Sequence, residues 1–287
     1  MKMRLASIAL LAAFHVAPTM AQSCTAINAI PATITAPGKY CLTNDFAVNV
    51  TTGNSITIAS NGVTLDCDGH ALRNTSTSTV GSANGIGLVS RHDVAIRNCR
   101  IIGGYRNGIA VTQNNSIANQ NYYITLDNNY VAGPLFNGIL AYGSGIEITN
   151  NRIYDIGGLN NNNAFGIHLG ASTVSSYFKF HLVKDNLVAG TNSPYLSAYG
   201  IFSEGTVAGI FVGNGITGTT ASNATYGAYG IRLAGSMNRI TDNHVVSGGD
   251  PDKDFGISTT DTGSACFDNY IRAITRTATC DATLGNY

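Results

Sequence analysis

The sequence contains no tryptophan and little charge, since only 11% of its 287 residues are Asp, Glu, Lys or Arg. Its 16 basic residues balance its 16 acidic residues, so it lacks the basic excess that captures nucleic acid or an anionic membrane. With 44% hydrophobic residues, it also lacks the polar composition of a disordered chain. We therefore expect a folded protein that binds neither nucleic acid nor membranes.

Two residue types that disfavour helix interiors are abundant in the chain. The chain has 33 Gly and 30 Asn, and both favour turns. This composition excludes an all-α fold, while the length suits one large domain or two small ones.

A long hydrophobic run is absent except at the N terminus. Lys2 and Arg4 precede an apolar stretch over residues 5–16, and Thr19-Met20-Ala21 then offers small residues at the outer positions of a cleavage site. This layout is typical of a signal peptide, and the stretch is too short to span a membrane. The sequence predicts a signal peptide over residues 1–21, a mature domain over residues 22–287, and a secreted or periplasmic protein.

Metal-binding patterns are missing as well. No two cysteines have the Cys-x-x-Cys spacing, and no Cys/His group has zinc-ligand spacing. Asp250, Asp252 and Asp254 alternate as in a calcium loop, but Phe255 stands where that loop requires glycine. We expect neither a metal nor a cofactor.

The body of the chain is a repeat marked by a Gly-Ile dipeptide. The marker glycines are 23 to 34 residues apart, and each follows Asn, Phe or Tyr. The markers are Gly85-Ile86, Gly108-Ile109, Gly138-Ile139, Gly166-Ile167, Gly200-Ile201, Gly230-Ile231 and Gly256-Ile257. Between them lies a second marker, Asn or Asp followed by Asn. It occurs at Asn128-Asn129, Asn150-Asn151, Asp185-Asn186, Asp242-Asn243 and Asp268-Asn269, with Gly213-Asn214 as a weaker match.

Each repeat holds two or three short β-like runs and no amphipathic helix, which excludes helical repeats. Propeller blades would need about 40 residues each. Stacked coils of a parallel β-helix would place Ile on Ile in the core and Asn on Asn at a corner, where amide side chains form a ladder and left-handed backbone is tolerated. Connections between parallel strands are right-handed. The predicted fold is all-β, a right-handed parallel β-helix solenoid of about nine coils.

Within this fold, strands are predicted at 85–90, 108–112, 138–142, 166–170, 200–204, 230–234 and 256–260. No helix longer than two turns is expected inside residues 80–260.

The six cysteines form an even set, which favours disulfides in an exported chain. The expected pairs are Cys24–Cys41, Cys67–Cys99 and Cys266–Cys280. The first and last would pin the ends of the solenoid, where a coil lacks a neighbour. Cys67 and Cys99 are 32 residues apart, about one coil, so they bond between coils if their registers agree.

These markers resemble those of right-handed parallel β-helix proteins of the pectin-lyase-like superfamily. The segment 62–70 and the later Ile96-Arg97-Asn98-Cys99 are also similar to exported repeat proteins of this type. The resemblance covers residues 39–273 and implies the fold, whereas the superfamily includes lyases, glycoside hydrolases, epimerases and non-enzymatic surface proteins. The catalytic motifs of its polygalacturonases and pectate lyases are absent here. Whether the chain is an enzyme, lyase-like or hydrolase-like, stays open.

Outward positions of stacked strands form columns, so the repeat alignment predicts a surface map. Two residues after the marker glycine lie His168, Phe202 and Arg232 in consecutive coils, with Glu204 and Tyr142 in the next column. In a β-elimination, a cation would neutralise a uronate carboxylate and a base would remove the proton at C5. We predict His168, Glu204 and Arg232 as catalytic residues and Tyr142 and Phe202 as substrate-binding residues. The alternative is an ordinary solvated face with a weak ion pair.

A second column follows the Asn corner and contains Arg100, Tyr130 and Arg152, with His244 and Tyr270 further along. Aromatic rings stack on sugar faces, and Arg forms paired hydrogen bonds with carboxylates. We predict Arg100, Tyr130 and Arg152 as substrate-binding residues, the alternative being arginine stems that cover apolar surface.

Two functions follow from these patterns. The first is an exported, monomeric protein that binds or processes an acidic polysaccharide. The second is a non-catalytic surface or structural solenoid, which would need no groove of convergent charged and aromatic groups.

Overall fold

The structure of the protein is a computed structural model. It describes residues 24–114, 121–158, 161–171, 180–223, 225–247, 253–260, 263–272, 275–278 and 282–284. These residues form strands, turns and bends, with no helix among them, and so none that could cross a membrane. The predicted signal peptide, Asp250, Asp252 and Cys280 lie outside the described residues.

The strands run parallel to one another and form the three faces of a β-helix, here called sheets I, II and III, which the chain visits in that order in each coil. Sheet I contains β2 (Ala32–Ile34), β5 (Asn54–Ile58), β8 (Asn84–Val89), β11 (Asn107–Thr112), the first part of β14 (Asn137–Thr149), β16 (Ala164–Ala171), β19 (Ala198–Glu204), β22 (Ala228–Ala234), β25 (Phe255–Thr259) and β28 (Thr275–Ala278).

Sheet II contains β1 (Thr25–Ile27), β3 (Gly38–Leu42), β6 (Val63–Asp66), β9 (His92–Arg97), β12 (Tyr122–Asp127), the second part of β14, β17 (His181–Lys184), β20 (Ile210–Val212), β23 (Arg239–Thr241), β26 (Ala265–Phe267) and β29 (Ala282–Leu284). Sheet III contains β4 (Phe46–Val48), β7 (Ala71–Asn74), β10 (Arg100–Gly103), β13 (Tyr130–Ala132), β15 (Arg152–Gly157), β18 (Leu187–Ser193), β21 (Gly215–Ala221), β24 (His244–Ser247) and β27 (Tyr270–Arg272). The seven predicted strands all lie in sheet I, and each predicted start is one or two residues from the observed start. The parallel β-helix is confirmed.

The glycine of each Gly-Ile marker lies where the coil enters sheet I, with no room for a side chain. A Cβ on Gly166 would lie 2.5 Å from the carbonyl oxygen of Gly200 and would overlap the side chain of Val188. The same approach to the carbonyl of the next marker recurs from Gly85 to Gly230. The isoleucines that follow are fully buried and stack in register, which is why this dipeptide repeats.

The Asn corner lies between sheets II and III, and its two residues have different tasks. The first adopts left-handed backbone, with φ of 57° at Asn150 and 55° at Asp185. The second is buried and joins a ladder, in which Nδ2 of Asn151 donates to Oδ1 of Asn186 and Nδ2 of Asn186 donates to Asn214, both at 3.0 Å. The ladder consists of Asn129, Asn151, Asn186, Asn214, Asn243 and Asn269. The predicted amide ladder is confirmed.

The residues before the marker glycines, together with Asn54 in the coil before the first marker, form a second ladder along sheet I. The chemistry of this ladder changes halfway. Its first half is a chain of amide hydrogen bonds between Asn54, Asn84, Asn107 and Asn137. Its second half is a stack of the rings of Phe165, Tyr199, Tyr229 and Phe255. Successive rings are nearly parallel, with centroids 5.0, 5.1 and 5.3 Å apart, so they cover one another's faces.

Two of the three expected disulfides are present in the described residues. Cys24–Cys41 closes the N-terminal end, and Cys67–Cys99 joins adjacent coils with Cα atoms 4.7 Å apart. Cys99 lies at the position that Asn occupies in later coils, and its backbone N–H donates to Oδ1 of Asn129. The expected Cys266–Cys280 bond includes a residue outside the described ranges.

Candidate functional site

The predicted patch on sheet I has the register that the repeat alignment indicated. His168 pairs with Phe202, and Phe202 pairs with Arg232, on consecutive strands. Glu204, at the end of β19, and Tyr142, within β14, lie one outward column further on. The five residues therefore belong to neighbouring columns of one face.

The exposure of His168 differs from the expectation of an open, solvated patch. Its imidazole stacks on Phe165 with centroids 4.4 Å apart, and the rings of Phe202 and Tyr142 lie at 5.3 and 5.8 Å. Only 7% of the residue is exposed, because these three rings surround it. Burial lowers the pKa of His168 from 6.5 to about 4, so the ring is neutral near pH 7.

The charged members of the patch do not converge as a catalytic group. Oε1 of Glu204, which is about half exposed, lies 3.9 Å from Nε2 of His168, beyond hydrogen-bond distance. The Arg232 guanidinium lies over the ring of Tyr229 at 4.7 Å and donates to the hydroxyl of Tyr199 at 3.3 Å. Within the described residues no ion pair joins Arg232 to Glu204, since the aromatic ladder attracts the guanidinium instead.

Tyr142 and Phe202 cover the patch. The ring of Tyr142 lies over Gly170, where any Cβ would overlap it. Burial, and secondarily the negative charge of Glu204, raise the pKa of Tyr142 above its usual value. The patch is thus a packed aromatic surface, with Glu204 as its exposed polar edge.

The second predicted column is also in register. Arg100 pairs with Tyr130, and Tyr130 pairs with Arg152, on strands β10, β13 and β15 of sheet III. The guanidinium of Arg100 lies 5.7 Å from the centre of the Tyr130 ring, and that ring lies 5.4 Å from Tyr154. Both arginines are exposed, and both tyrosines are half-buried.

This column borders a groove that follows the Asn corner, here called the corner groove. It consists of three adjoining concavities of about 450, 370 and 770 Å³, of which successive ones share Asp68 and then Asn128. Its lining includes Lys39 and Arg97 from sheet II, and Arg100, Tyr130, Arg152 and Tyr154 from sheet III. Alignment had found Arg100, Tyr130 and Arg152 but missed Tyr154, which lies two residues further along the same strand as Arg152.

Hydrogen bonds and ion pairs occupy most carboxylates of the groove. Asp127 accepts from Oγ1 of Thr149 at 2.6 Å and from Nδ2 of Asn150 at 2.8 Å. Asp185 lies 3.5 Å from the ammonium of Lys184.

The carboxylate of Asp66 is also engaged, because it accepts from Nε of Arg97 at 2.8 Å. Arg100 and Arg152 have no carboxylate within ion-pair distance in the described part of the chain. The two guanidinium groups therefore form no direct ion pair within the described residues, although the charge of Arg100 contributes, after the hydrogen bonds from Ala71 and His70, to the lowered pKa of Asp45.

Comparison with known proteins leaves the function open. No protein-family model matches the chain, and no curated protein matches it. The crystal structure of Dettilon tailspike protein (gp208) is 14% identical over 91% of this chain and 60% of that chain, with a TM-score of 0.40. That of the GH136 lacto-N-biosidase from Eubacterium ramulus is 10% identical over 88% of this chain and 46% of that chain, with a TM-score of 0.26.

These values assign neither a function nor a site to this chain, which spans only 60% and 46% of those two chains. The strands, their register and the ladders described above identify the chain as a parallel β-helix protein.

Proposed function

We propose that this protein is exported and binds an acidic polysaccharide in the corner groove. The observation that carries the proposal is the repetition, along one groove, of Arg100, Tyr130 and Arg152 on consecutive coils. Neighbouring strands are about 4.8 Å apart, so the two arginines are spaced by about 10 Å along the axis. An extended pyranose chain advances by a comparable distance over two sugars, which would bring the acidic groups of alternate sugars to the two guanidinium groups.

The rest of the groove suits the same ligand. Tyr130 and Tyr154 supply apolar rings for the faces of sugars, and the exposed amide of Asn128 can hydrogen-bond hydroxyl groups. Paired arginine hydrogen bonds to a carboxylate are stronger than neutral ones. Disulfides such as Cys24–Cys41 persist in oxidising compartments, which supports export.

The test is a titration calorimetry series with polygalacturonate, alginate and hyaluronan, and with dextran as a neutral polymer. We expect at least one acidic polymer to bind, and we expect its affinity to fall about tenfold or more in Arg152→Ala and in Arg100→Ala. Arg272→Ala is the matched control, because Arg272 is an exposed arginine of sheet III on a strand outside the groove. Absence of binding by all three acidic polymers would favour the structural solenoid.

We propose catalysis at the sheet I patch as a second candidate function. The observation that favours it is geometric: Oε1 of Glu204 lies 3.9 Å from Nε2 of His168, so a carboxylate stands beside an imidazole that is neutral near pH 7, as a general base must be. Catalysis there requires Phe202 or Tyr142 to move, because their rings cover the imidazole. The polymer that binds should then yield new chain ends, and His168→Gln should abolish them, whereas turnover equal to wild type in His168→Gln would remove this candidate.

A further inference from the structure

A second polar and aromatic cluster lies at the other end of the strands that border the corner groove. Strands β9 and β12 end at the groove with Arg97 and Asp127, and they begin with His92 and Tyr122 at the corner between sheets I and II. At a rise of about 3.3 Å per residue, the two ends are about 17 Å apart. The cluster is therefore a separate surface.

Two neighbouring tyrosines dominate this surface. Tyr122 is 39% exposed and Tyr123 is 66% exposed, and their rings meet edge to face at 84° with centroids 5.5 Å apart. Together they form an angled pair of exposed rings, here called the tyrosine shelf. In the next coil the position that pairs with Tyr123 is Gly145, so no side chain from that coil covers the ring.

The backbone of Tyr123 is held in a costly conformation. Its φ is 54°, in the left-handed region that a bulky residue seldom adopts. The next coil has glycine here, at Gly145 with φ 59°, which has no such cost. Asp93, which stacks below Tyr123 in the preceding coil, also has a φ of 54°, so the geometry of this corner enforces the left-handed backbone in successive coils.

A fully satisfied polar network holds the shelf from below. The imidazole of His92 is stacked on Tyr122, with centroids 4.5 Å apart and planes within 5°. Nδ1 of His92 lies 2.8 Å from Oδ2 of Asp93, and Nε2 lies 2.7 Å from Nδ2 of Asn61. A carboxylate only accepts, so Nδ1 carries the proton and Nε2 accepts from Asn61. Oδ1 of Asn61 also accepts the backbone N–H of His92, so the ring cannot turn without breaking hydrogen bonds.

The charge of the shelf selects among possible ligands. Asp93 is largely exposed and provides a hydrogen-bond acceptor beside the rings, as sugar hydroxyl groups require. The same carboxylate repels a uronate or a sulfated sugar. A rigid aromatic surface bordered by a hydrogen-bond acceptor suits a neutral pyranose, because little entropy is lost when an already ordered site binds.

We infer that the tyrosine shelf is a second carbohydrate site, specific for neutral sugars and separate from the corner groove proposed for the acidic polysaccharide. A heteropolysaccharide that carries both acidic backbone sugars and neutral branches would engage both surfaces. Once one surface has bound such a polymer, the other surface meets its sugars at a high effective concentration. The overall affinity is therefore higher than that of either surface alone.

The test uses neutral oligosaccharides as probes: cellohexaose, mannohexaose, xylohexaose and a galactohexaose. We expect at least one to bind wild type at millimolar or lower concentration, and we expect a loss of about tenfold or more in Tyr123→Gly. Glycine is chosen because it accepts the left-handed backbone, so the fold and Tm should be kept. Tyr195→Ala, which removes another exposed tyrosine outside the shelf, should bind as wild type.

The outcomes separate this inference from the proposed function. Arg152→Ala should leave neutral-sugar binding unchanged, and Tyr123→Gly should leave polygalacturonate, alginate and hyaluronan binding unchanged. If none of the four neutral probes binds, or if Tyr123→Gly binds them as wild type does, the shelf is not a sugar site. Either result leaves the assignment of the groove intact.

Discussion

The imidazole of His168 lies almost flat against the ring of Phe165, with ring centroids 4.4 Å apart and planes within 21°. Neither ring nitrogen of His168 has a hydrogen-bond partner among the residues that the structure describes, and 93% of the residue is removed from solvent. The imidazole of His168 is thus buried among apolar rings, and the free energy of unfolding should depend on whether it is protonated.

Stability should fall in mild acid because of His168. The pKa of this histidine is 6.5 when it is unfolded and about 4 when it is folded. Below pH 6.5 the unfolded state binds a proton that the native state does not, so stability decreases as the pH falls from 6.5 through 4. A shift of this size corresponds to roughly 3 kcal/mol at its full extent.

The measurement is urea unfolding at pH 7, 6, 5 and 4. His168→Phe should lose most of this pH dependence, whereas His244→Phe, which replaces an exposed histidine, should keep it. A His168→Phe variant that is as acid-sensitive as wild type would contradict this account.

Removing an amide from the buried ladder should be costly. The backbone N–H and Nδ2 of Asn151 both donate to Oδ1 of Asn186, and Asn186→Ala removes that acceptor. Each donor left unpaired in the core costs about 1–3 kcal/mol. We expect a decrease of that order or more in the free energy of unfolding. Asn192→Ala, at an exposed position in the following strand, should change it by less than about 0.5 kcal/mol.

The marker glycines should not tolerate even one methyl group. Gly166→Ala would place a Cβ 2.5 Å from a backbone carbonyl and against Val188, and relieving such an overlap costs about 1–3 kcal/mol or more. Gly157→Ala is the control, because a Cβ there meets nothing within 4 Å. Equal midpoints of thermal unfolding for the two variants would show that the coil can shift at the marker.

The ring of Tyr130 should matter to the corner groove more than its hydroxyl does. Tyr130→Ala removes the apolar face and the partner of the Arg100 guanidinium, so we expect affinity for the acidic polymer to fall about five- to tenfold. Tyr130→Phe keeps the ring and should bind within about twofold of wild type. If Tyr130→Phe lost as much affinity as Tyr130→Ala, the contribution of Tyr130 would come from its hydroxyl group instead.

Binding in the groove should also weaken with salt. Arg100 and Arg152 are exposed, so their attraction to acidic groups is screened as the Debye length falls from about 10 Å at 0.1 M to about 3 Å at 1 M. Affinity measured at the two ionic strengths should differ clearly in wild type and much less in the double variant Arg100→Ala/Arg152→Ala. An affinity independent of salt in wild type would argue against charge recognition.

The repeating elements of the fold could be read from the sequence because each is set by local chemistry. Only glycine fits the marker position, as the Gly166–Gly200 approach illustrates. Only a residue that tolerates left-handed backbone suits the first corner position, as at Asp185. Since like positions stack in successive coils, the alignment of the repeats also yielded the correct columns for His168 and Arg152.

What the sequence could not reveal is which members of a column remain accessible. His168 and Arg152 are both outward in register, yet His168 is covered by Phe165, Phe202 and Tyr142, while Arg152 borders an open groove. Exposure depends on the rotamers and sizes of side chains in adjacent coils, and these are decided jointly in the folded molecule. Column position is therefore a property of the sequence, whereas the choice between a packed ladder and a binding surface is made by tertiary packing.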